Sequence, residues 1–181
     1  PKMQYEKTKW IYYFASPLMY LLGFWVMIKK IVFGKKIKTN TFWFDGASPV
    51  CREIKENAQG WRAVDILYNH CFCEKNDFSG KLTDFWLKMI NSQAMRNRLK
   101  LVKQCLRAEI ETLIGKDSEI RIFSIASGSA QAVVEVMSEY KHKSVLVKAC
   151  LLDLDAAAIS HGRQIAEEVG VSEQIQYINK N

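Results

Sequence analysis

The sequence predicts an α/β fold, in which a Rossmann-like parallel sheet of about three strands follows an α-helical N-terminal region. The last third of the chain alternates between short apolar runs and helical periodicity, in the order strand, helix, strand, helix, strand. The middle of the chain shows only helical spacing of its apolar residues. Such an order favours parallel strands joined by right-handed crossovers.

Three segments follow from these patterns. Residues 1–43 form an apolar, Lys-flanked segment, residues 44–116 a helical cap region, and residues 117–181 the sheet-forming domain. A chain of 181 residues can hold one ordinary domain with an appendage. It has no room for two full enzymatic domains.

The net charge of +7 belongs to the N-terminal segment. Residues 1–40 carry eight Lys and one acid, Glu6, whereas bases and acids are balanced over residues 41–181. We therefore expect no nucleic-acid partner for the body of the protein. The five Cys, an odd number without a cleavable-looking signal sequence, indicate reduced thiols and a cytoplasmic location.

The N-terminal segment has the character of a membrane-contacting sequence. Residues 10–28 contain no charge and many aromatics, and Lys residues flank them on both sides. This predicts contact with a membrane surface through residues 10–38, by spanning or by lying on it, at its cytoplasmic face. The alternative is a buried core hairpin broken at Pro17.

The middle of the chain predicts two helical stretches. Residues 51–72 show helical spacing, with Gly60 kinking or dividing the helix. Thr83 is the expected N-cap of a long helix from about Asp84 to Ile114, which Gly115 ends. Its basic residues form a solvated face or, as the alternative, bind phosphate or headgroups. The loop before it is formed by Asp77, Ser79 and Gly80.

A polar group near residue 70 provides weak catalytic candidates. Tyr68 and His70 could accept a proton from a substrate, since His titrates near neutrality. The alternative is a histidine satisfied within the core. A metal site at His70, Cys71 and Cys73 lacks a second ligand pair, so we expect no metal.

The sheet-forming domain places small residues next to a conspicuous acid. Strands are expected at residues 119–126, 145–154 and 174–178, and helices at residues 131–140 and 156–169. Short or absent side chains between the first strand and helix would let a ligand approach the backbone. Asp153 ends the second strand, where an acid can bind ribose hydroxyls. The loop residues are Ser127, Gly128, Ser129 and Ala130.

The stretches SIASGSAQ, LLDLDAAAISHGRQIA and IQYINKN resemble the first half of a class I S-adenosylmethionine-dependent methyltransferase. The resemblance covers about residues 117–181. It implies that the loop, at Ala126, Gly128 and Ala130, approaches the methionine part of S-adenosylmethionine. It also implies that Asp153, ahead of Asp155, holds the ribose, and that Asn181, ahead of Asn179, contacts the adenine.

Two departures from the family pattern concern the cofactor. Ala or Ser replaces glycine in the loop, and Ser124 stands where the family commonly has an acid. A nicotinamide-binding fold is the alternative at this level. The sheet in this family has seven strands. A partner chain, a further C-terminal region or the N-terminal helices are therefore expected to cover the open edge of the first strand.

The resemblance implies an enzyme that transfers a methyl group from S-adenosylmethionine to a small acceptor. The membrane-contacting segment favours a lipid-like acceptor. This chain would hold the cofactor-binding half. The alternative function is a noncatalytic, membrane-associated binding or scaffold module that has lost the cofactor.

Overall fold

The chain folds as helices followed by an alternating α/β segment, in a computed structural model that describes residues 5–33, 48–58, 60–72, 77–116, 118–143 and 145–180. Its internal contacts separate a first unit, Gln4–Asn97, from a second unit, Arg98–Asn181. The three segments expected from the sequence, with borders at residues 43 and 116, stay a prediction.

Helix α1 (Trp10–Phe33) begins the first unit and runs through Pro17 without a break. Over Trp10–Lys29 it is long and apolar enough to cross a membrane by length and composition, and 6% of its most apolar window, of mean hydropathy 1.6, is buried. The core hairpin broken at Pro17 is therefore wrong. A single proline removes one backbone donor, which a helix of this length tolerates.

Helices α2 (Pro49–Glu56) and α3 (Trp61–Asn69) follow. Ser48 caps α2, since its hydroxyl accepts a hydrogen bond from the Cys51 amide at 3.1 Å. Gly60 precedes α3 as its N-cap, so the expected division at this glycine is observed. Helix α2 begins as many helices do, with a serine at the N-cap and a proline in the first turn.

Helices α4 (Phe78–Leu87) and α5 (Ile90–Leu113) replace the single long helix that the sequence predicted. Helix α4 begins after Asp77, whose carboxylate accepts from the Gly80 amide at 2.8 Å. Thr83 is therefore not an N-cap. It lies within α4, where its hydroxyl bonds the Ser48 hydroxyl at 2.6 Å. Ser79 and Gly80, expected in a loop, are helical.

The break between α4 and α5 depends on a buried arginine. The Arg96 Nη1 atom donates to the carbonyl oxygen of Leu87 at 2.8 Å and so satisfies an acceptor at the end of α4. Arg96 is itself buried, with 6% of its surface exposed. Since this contact is tertiary, the local sequence around Lys88 and Met89 gave no signal for it.

The core of the first unit is small. Its buried apolar members are Ile54, Ala63, Leu67 and Leu87, and the buried hydroxyl pair of Ser48 and Thr83 also belongs to this unit. Burial of Leu87 is complete, at 0% exposure. Contacts of α2 with α3 and α4 thus hold the short helices together.

The second unit contains a three-stranded parallel sheet in the order β1-β2-β3. This confirms the expected incomplete Rossmann-like arrangement. The ends of the strands and helices differ from the expected ones by at most one residue. The elements in chain order are β1 (Glu119–Ile125), α6 (Gln131–Tyr140), β2 (Leu146–Asp153), α7 (Ala156–Val169), a 3₁₀ turn (Ser172–Gln174) and β3 (Ile175–Asn179).

Apolar residues of α6 and β2 form the centre of the second unit. Val134, Val136 and Met137 on α6 and Leu151 on β2 are each fully buried. Ile110, in the C-terminal half of α5, joins the same cluster at 2% exposure. Burying each of these side chains contributes about 1.5–3 kcal/mol.

Bases of α5 pair with acids of α6. The Lys103 amine lies 2.5 Å from a Glu135 oxygen, and the Arg107 guanidinium donates two hydrogen bonds to Glu139 at 2.6 Å. Glu139 in turn has a lowered pKa, chiefly because of the Arg107 hydrogen bond. Because Lys103 and Arg107 are paired with acids of α6, the structure favours ion pairing within the second unit over phosphate or headgroup binding for these two residues.

Strand β1 lies at one edge of the sheet and exposes apolar side chains. Phe123 is 62% and Ile125 is 69% exposed. The expectation that a partner chain or a further region covers this edge stays a prediction.

One leucine within β2 and one just after it provide a stability test. Leu151→Ala removes a fully buried side chain and should lower the free energy of unfolding by about 2–5 kcal/mol. Leu154→Ala, at a position that is 64% exposed, should change it by less than about 0.5 kcal/mol. Urea unfolding followed by circular dichroism measures both. Equal effects would contradict the burial of Leu151 in the core of the second unit.

A second test uses the hydroxyl of Tyr140, which donates to the Glu111 carboxylate at 2.7 Å. Burial, together with this bond, raises the pKa of Tyr140 to about 12 from 10.0. Since the unfolded tyrosine loses its proton first, the stability that Tyr140 contributes should fall as pH rises through this interval.

The unfolding free energy of the wild type minus that of Tyr140→Phe should therefore decrease from about pH 10 to about pH 12. Tyr13→Phe is the matched control, because Tyr13 is 59% exposed. A Tyr140→Phe difference that stays constant with pH would rule out the proposed contribution.

Candidate functional site

A loop of residues 126–130 joins β1 to α6 at the carboxyl end of the sheet. Ala126, Gly128 and Ala130 all adopt left-handed backbone conformations, with φ of 53°, 57° and 52°. Glycine does so freely, but each alanine is strained by about 1–2 kcal/mol. Strain of this kind persists where surrounding contacts enforce it, and it concentrates at ligand sites.

Three hydrogen bonds donated by backbone amides hold the loop in this shape. The Ser127 amide donates to the Leu152 carbonyl at 3.1 Å, and the Ala130 amide to the Ser127 carbonyl at 2.9 Å. The Gly128 amide donates to Oδ2 of Asp153 at 2.6 Å. A hydrogen bond to a carboxylate is stronger than one to a carbonyl oxygen, so Asp153 makes the strongest of these three attachments.

Asp153 is the expected ribose acid, and the structure joins it directly to the expected loop. Its second oxygen, Oδ1, accepts from the Asp155 amide at 2.9 Å. The residue is half-buried. A carboxylate offers about four lone-pair positions, so two accepted bonds leave acceptor capacity for ligand hydroxyls.

Asp155, ranked second for the ribose, has a structural task. Its carboxylate caps α7 by accepting from the amides of Ala157 and Ala158 at 2.9 and 3.3 Å. Neighbouring acids at the end of β2 therefore act differently. Asp153 positions the loop and Asp155 starts the helix.

The expected adenine contacts are Asn181 and, less favoured, Asn179. Asn181 lies outside the described residues. Asn179 ends β3, and its side-chain nitrogen donates to the carbonyls of Asp153 and Leu154 at 3.1 and 3.0 Å. This leaves its Oδ1 atom as the group that could accept a bond from a ligand amine.

Ser127 contributes a hydroxyl that is buried and has no hydrogen-bond partner within the described part of the chain. The Tyr177 hydroxyl on β3 is likewise buried without a hydrogen-bond partner among the described residues. Burial raises the pKa of Tyr177, which the Arg163 guanidinium 5.1 Å from its ring partly opposes. Leaving a buried hydroxyl unpaired costs about 1–3 kcal/mol, so Ser127 fits a loop that receives a polar ligand.

Gly162, in the middle of α7, lets the helix approach the loop. A Cβ atom at this position would lie 2.8 Å from the carbonyl oxygen of Ser129 and 3.3 Å from its carbon. Both atoms are backbone, so the loop would have to shift. Sequence reasoning missed this residue, although a glycine inside a helix is itself a sign of close packing.

The two catalytic candidates lie in the first unit. His70 is engaged by Asp84, whose Oδ1 is 3.0 Å from the His70 Nε2 atom, and both side chains are 16% exposed. The edge of the Phe72 ring packs on it at 4.9 Å. Tyr68 lies in α3 and is half-buried. Pairing with Asp84 supports the alternative of a histidine satisfied within its unit, and a catalytic role stays a prediction.

Within the described ranges, no three His, Cys, Asp or Glu side chains are grouped as a metal ion would require, and the expectation of no metal stays a prediction. Cys71 is exposed, with its Sγ atom 3.8 Å from the carbonyl oxygen of Asn69. Cys73 lies outside these ranges.

Comparison with known proteins identifies the fold's relatives. The profile of a family described as "Putative methyltransferase" matches residues 55–181. The chain belongs to this methyltransferase family. The resemblance seen in the sequence is thereby confirmed, and the family match extends beyond it to the helices that precede the sheet. No curated protein matches the chain.

Solved structures of methyltransferases are similar to part of the chain. Two are SAM-dependent methyltransferases in complex with S-adenosyl-L-homocysteine, from Geobacter sulfurreducens (17% identity, TM-score 0.35) and Thiobacillus denitrificans (18%, 0.35). Both matches cover 46% of this chain, and 28% and 29% of theirs. YJHP from E. coli is 20% identical, with a TM-score of 0.32, over 40% of this chain and 28% of its own. The chain spans less than a third of the length of each of these three proteins.

The close approach at Gly162 is testable. A glycine-to-alanine change inside a helix usually stabilises by roughly 0.5–1 kcal/mol. Gly162→Ala should instead destabilise by about 1–3 kcal/mol, because the added methyl group meets the Ser129 backbone. Ser160→Ala, on an exposed position of the same helix, is the control. Urea unfolding that shows Gly162→Ala to be stabilised would refute the contact.

Proposed function

We propose that this chain holds the cofactor-binding half of an S-adenosylmethionine-dependent methyltransferase that acts on a small, lipid-like acceptor. Membership of the methyltransferase family supports the reaction class. The observation that carries the proposal is the 2.6 Å bond between the Gly128 amide and the Asp153 carboxylate. It brings the small-residue loop and the acid together at the carboxyl edge of a parallel sheet, where this fold class binds nucleotides.

The residues of this edge would divide the cofactor between them. The backbone of residues 126–130 would receive the methionine part, with the spare Ser127 hydroxyl as a polar contact. The Asp153 carboxylate would accept hydrogen bonds from the ribose hydroxyls through its remaining lone pairs. Asn181, or else Asn179 through its Oδ1 atom, would contact the adenine.

When bound, S-adenosylmethionine supplies an electrophilic methyl group attached to a sulfonium. The chain's own contribution would be alignment, since a fixed loop and a fixed carboxylate hold the donor in one orientation. An acceptor that carries a proton also needs a base, and His70 and Tyr68 remain the weak candidates for that role.

The proposed acceptor class and location depend on the N-terminal segment. Residues 10–38 would contact a membrane surface at its cytoplasmic face, which would bring a lipid-like acceptor within reach of the protein. The exposed aromatic side chains of α1 and the Lys residues around it support this contact. The even balance of charge over residues 41–181 supports the absence of a nucleic-acid partner.

A noncatalytic, membrane-associated scaffold is the second candidate function. One observation favours it: both carboxylate oxygens of Asp153 already accept hydrogen bonds from backbone amides of the protein. A module that had lost the cofactor could keep these bonds for stability alone. The two functions differ in whether the carboxylate also binds a ligand.

Calorimetric titration of S-adenosylmethionine and S-adenosylhomocysteine distinguishes the two functions. We expect both to bind the wild type, and Asp153→Ala to weaken binding roughly 10- to 100-fold, as expected for lost hydrogen bonds to a charged group. Asp155→Asn is the matched control, since asparagine also caps helices. Binding that survives Asp153→Ala would contradict the assigned ribose contact, and no binding to a folded wild type would favour the scaffold.

A further inference from the structure

Helix α1 presents an apolar surface that the rest of its unit leaves open. Side chains on several of its faces are 57–75% exposed, among them Trp10, Phe14, Leu18, Tyr20, Leu21 and Trp25. Residues 10–28 contain no charge. Since a helix that is apolar around its circumference belongs in a core or in lipid, and α1 is not in a core, lipid is the environment that fits it.

The ends of α1 carry the charge that an anionic bilayer would attract. Lys7, Lys9 and Lys29 are exposed, and the Lys29 amine lies 3.9 Å above the ring of Trp25. Aromatic rings with neighbouring lysines favour the headgroup boundary of a membrane. Both ends of the helix, and not one alone, therefore suit a position at headgroup level.

The residues before α1 are fastened to helix α5 of the same unit. The Glu6 carboxylate accepts from Arg96 Nε and Nη2 at 2.7–3.0 Å, and the Arg96 side chain is 7% exposed. The Glu6 amide donates to Asn97 Oδ1 at 2.9 Å, and Asn97 Nδ2 donates to the Glu6 carbonyl at 3.0 Å. A bidentate ion pair, flanked by two hydrogen bonds between Asn97 and the Glu6 backbone, attaches this segment firmly to α5. We call it the Glu6 clamp.

The first turn of α1 is held in the same way. Thr8 bonds the side chain of Gln93, and the Tyr12 ring, 9% exposed, packs on Phe85 with ring centres 5.5 Å apart. The N-terminal end of α1 thus lies against α4 and α5. Beyond Tyr12 most of the large apolar side chains that the structure describes are exposed, among them Phe14, Tyr20 and Phe24.

These contacts restrict how α1 can meet a bilayer. If α1 crossed it, Glu6 and the chain after Phe33 would lie on opposite sides. Yet Ser48 bonds Thr83 within the same unit that holds Glu6. The connecting sequence, residues 34–47, has three Lys and one Asp, which makes a second passage through hydrocarbon too costly.

We propose that α1 inserts into the near leaflet of an anionic lipid bilayer, parallel to the membrane plane and without crossing it, with the Glu6 clamp keeping both ends of the helix on the side where the first unit lies. The inference rests on the proposed membrane contact and not on methyl transfer. Helix α1 supplies hydrophobic attachment, its lysines supply attraction to anionic headgroups, and the clamp fixes the orientation of the first unit against the surface.

Flotation with vesicles tests the attachment. The wild type should float with phosphatidylcholine vesicles that contain phosphatidylserine, and less with phosphatidylcholine alone. Lys29→Gln should weaken partitioning into the anionic vesicles about fivefold, the effect expected of one surface lysine. Lys81→Gln, at an exposed position of α4, is the matched control and should have no effect. A folded protein that floats with neither vesicle overturns the proposal.

Labelling tests the orientation. Lys7→Cys and Lys36→Cys variants are bound to sealed anionic vesicles and treated with a maleimide that does not cross membranes, and the labelled peptides are identified by mass spectrometry. We expect both new cysteines to be labelled as fully as in detergent. Protection of either one would show that α1 crosses the bilayer and the clamp opens, which overturns the proposal.

Cofactor titration on the same samples separates this proposal from the proposed function. Loss of vesicle binding with S-adenosylhomocysteine still bound defeats only the one-sided arrangement. Vesicle binding without cofactor binding defeats only the methyltransferase proposal.

Discussion

The carboxylate of Asp153 fixes the carboxyl edge of the sheet, and the arrangement of the candidate site depends on it. One oxygen holds the Gly128 amide of the loop after β1, and the other holds the Asp155 amide before α7. Asn179 adds the end of β3 by bonding the Asp153 carbonyl. Asp153 therefore links the ends of three successive strands, through its carboxylate to the loop after β1 and through its backbone carbonyl to β3. These bonds hold the left-handed alanines of the loop in their strained conformation.

The first unit uses a buried arginine in a comparable way. Arg96 bonds the Glu6 carboxylate and the Leu87 carbonyl, and its guanidinium lies 4.9 Å from the ring of Phe72. A planar cation with several fixed donors can serve these partners together, which a lysine amine could not. The same residue ends one helix and fastens the start of the chain, so local helix geometry and the course of the N-terminal segment are coupled.

Much of this could be predicted from the sequence because it rests on local signals. Periodicity located the strands and helices of the second unit, and the resemblance to methyltransferases implied that the loop around Gly128 and the acid Asp153 contact one cofactor. The features that were missed depend on residues far apart in the chain. Glu6 and Arg96 are separated by 90 positions, the break before α5 has no glycine or proline to announce it, and the contact of Gly162 with Ser129 depends on a distance between helix and loop.

The alanines of the loop also bear on the entropy of ligand binding. Glycines at positions 126 and 130 would remove the strain, but they would let the unliganded loop sample many more conformations. With alanine at both, and Asp153 as the tether, the amides and the Ser127 hydroxyl occupy fixed positions before any ligand arrives. A ligand of this loop would consequently lose its own freedom on binding while the protein loses little, which favours affinity without additional contacts.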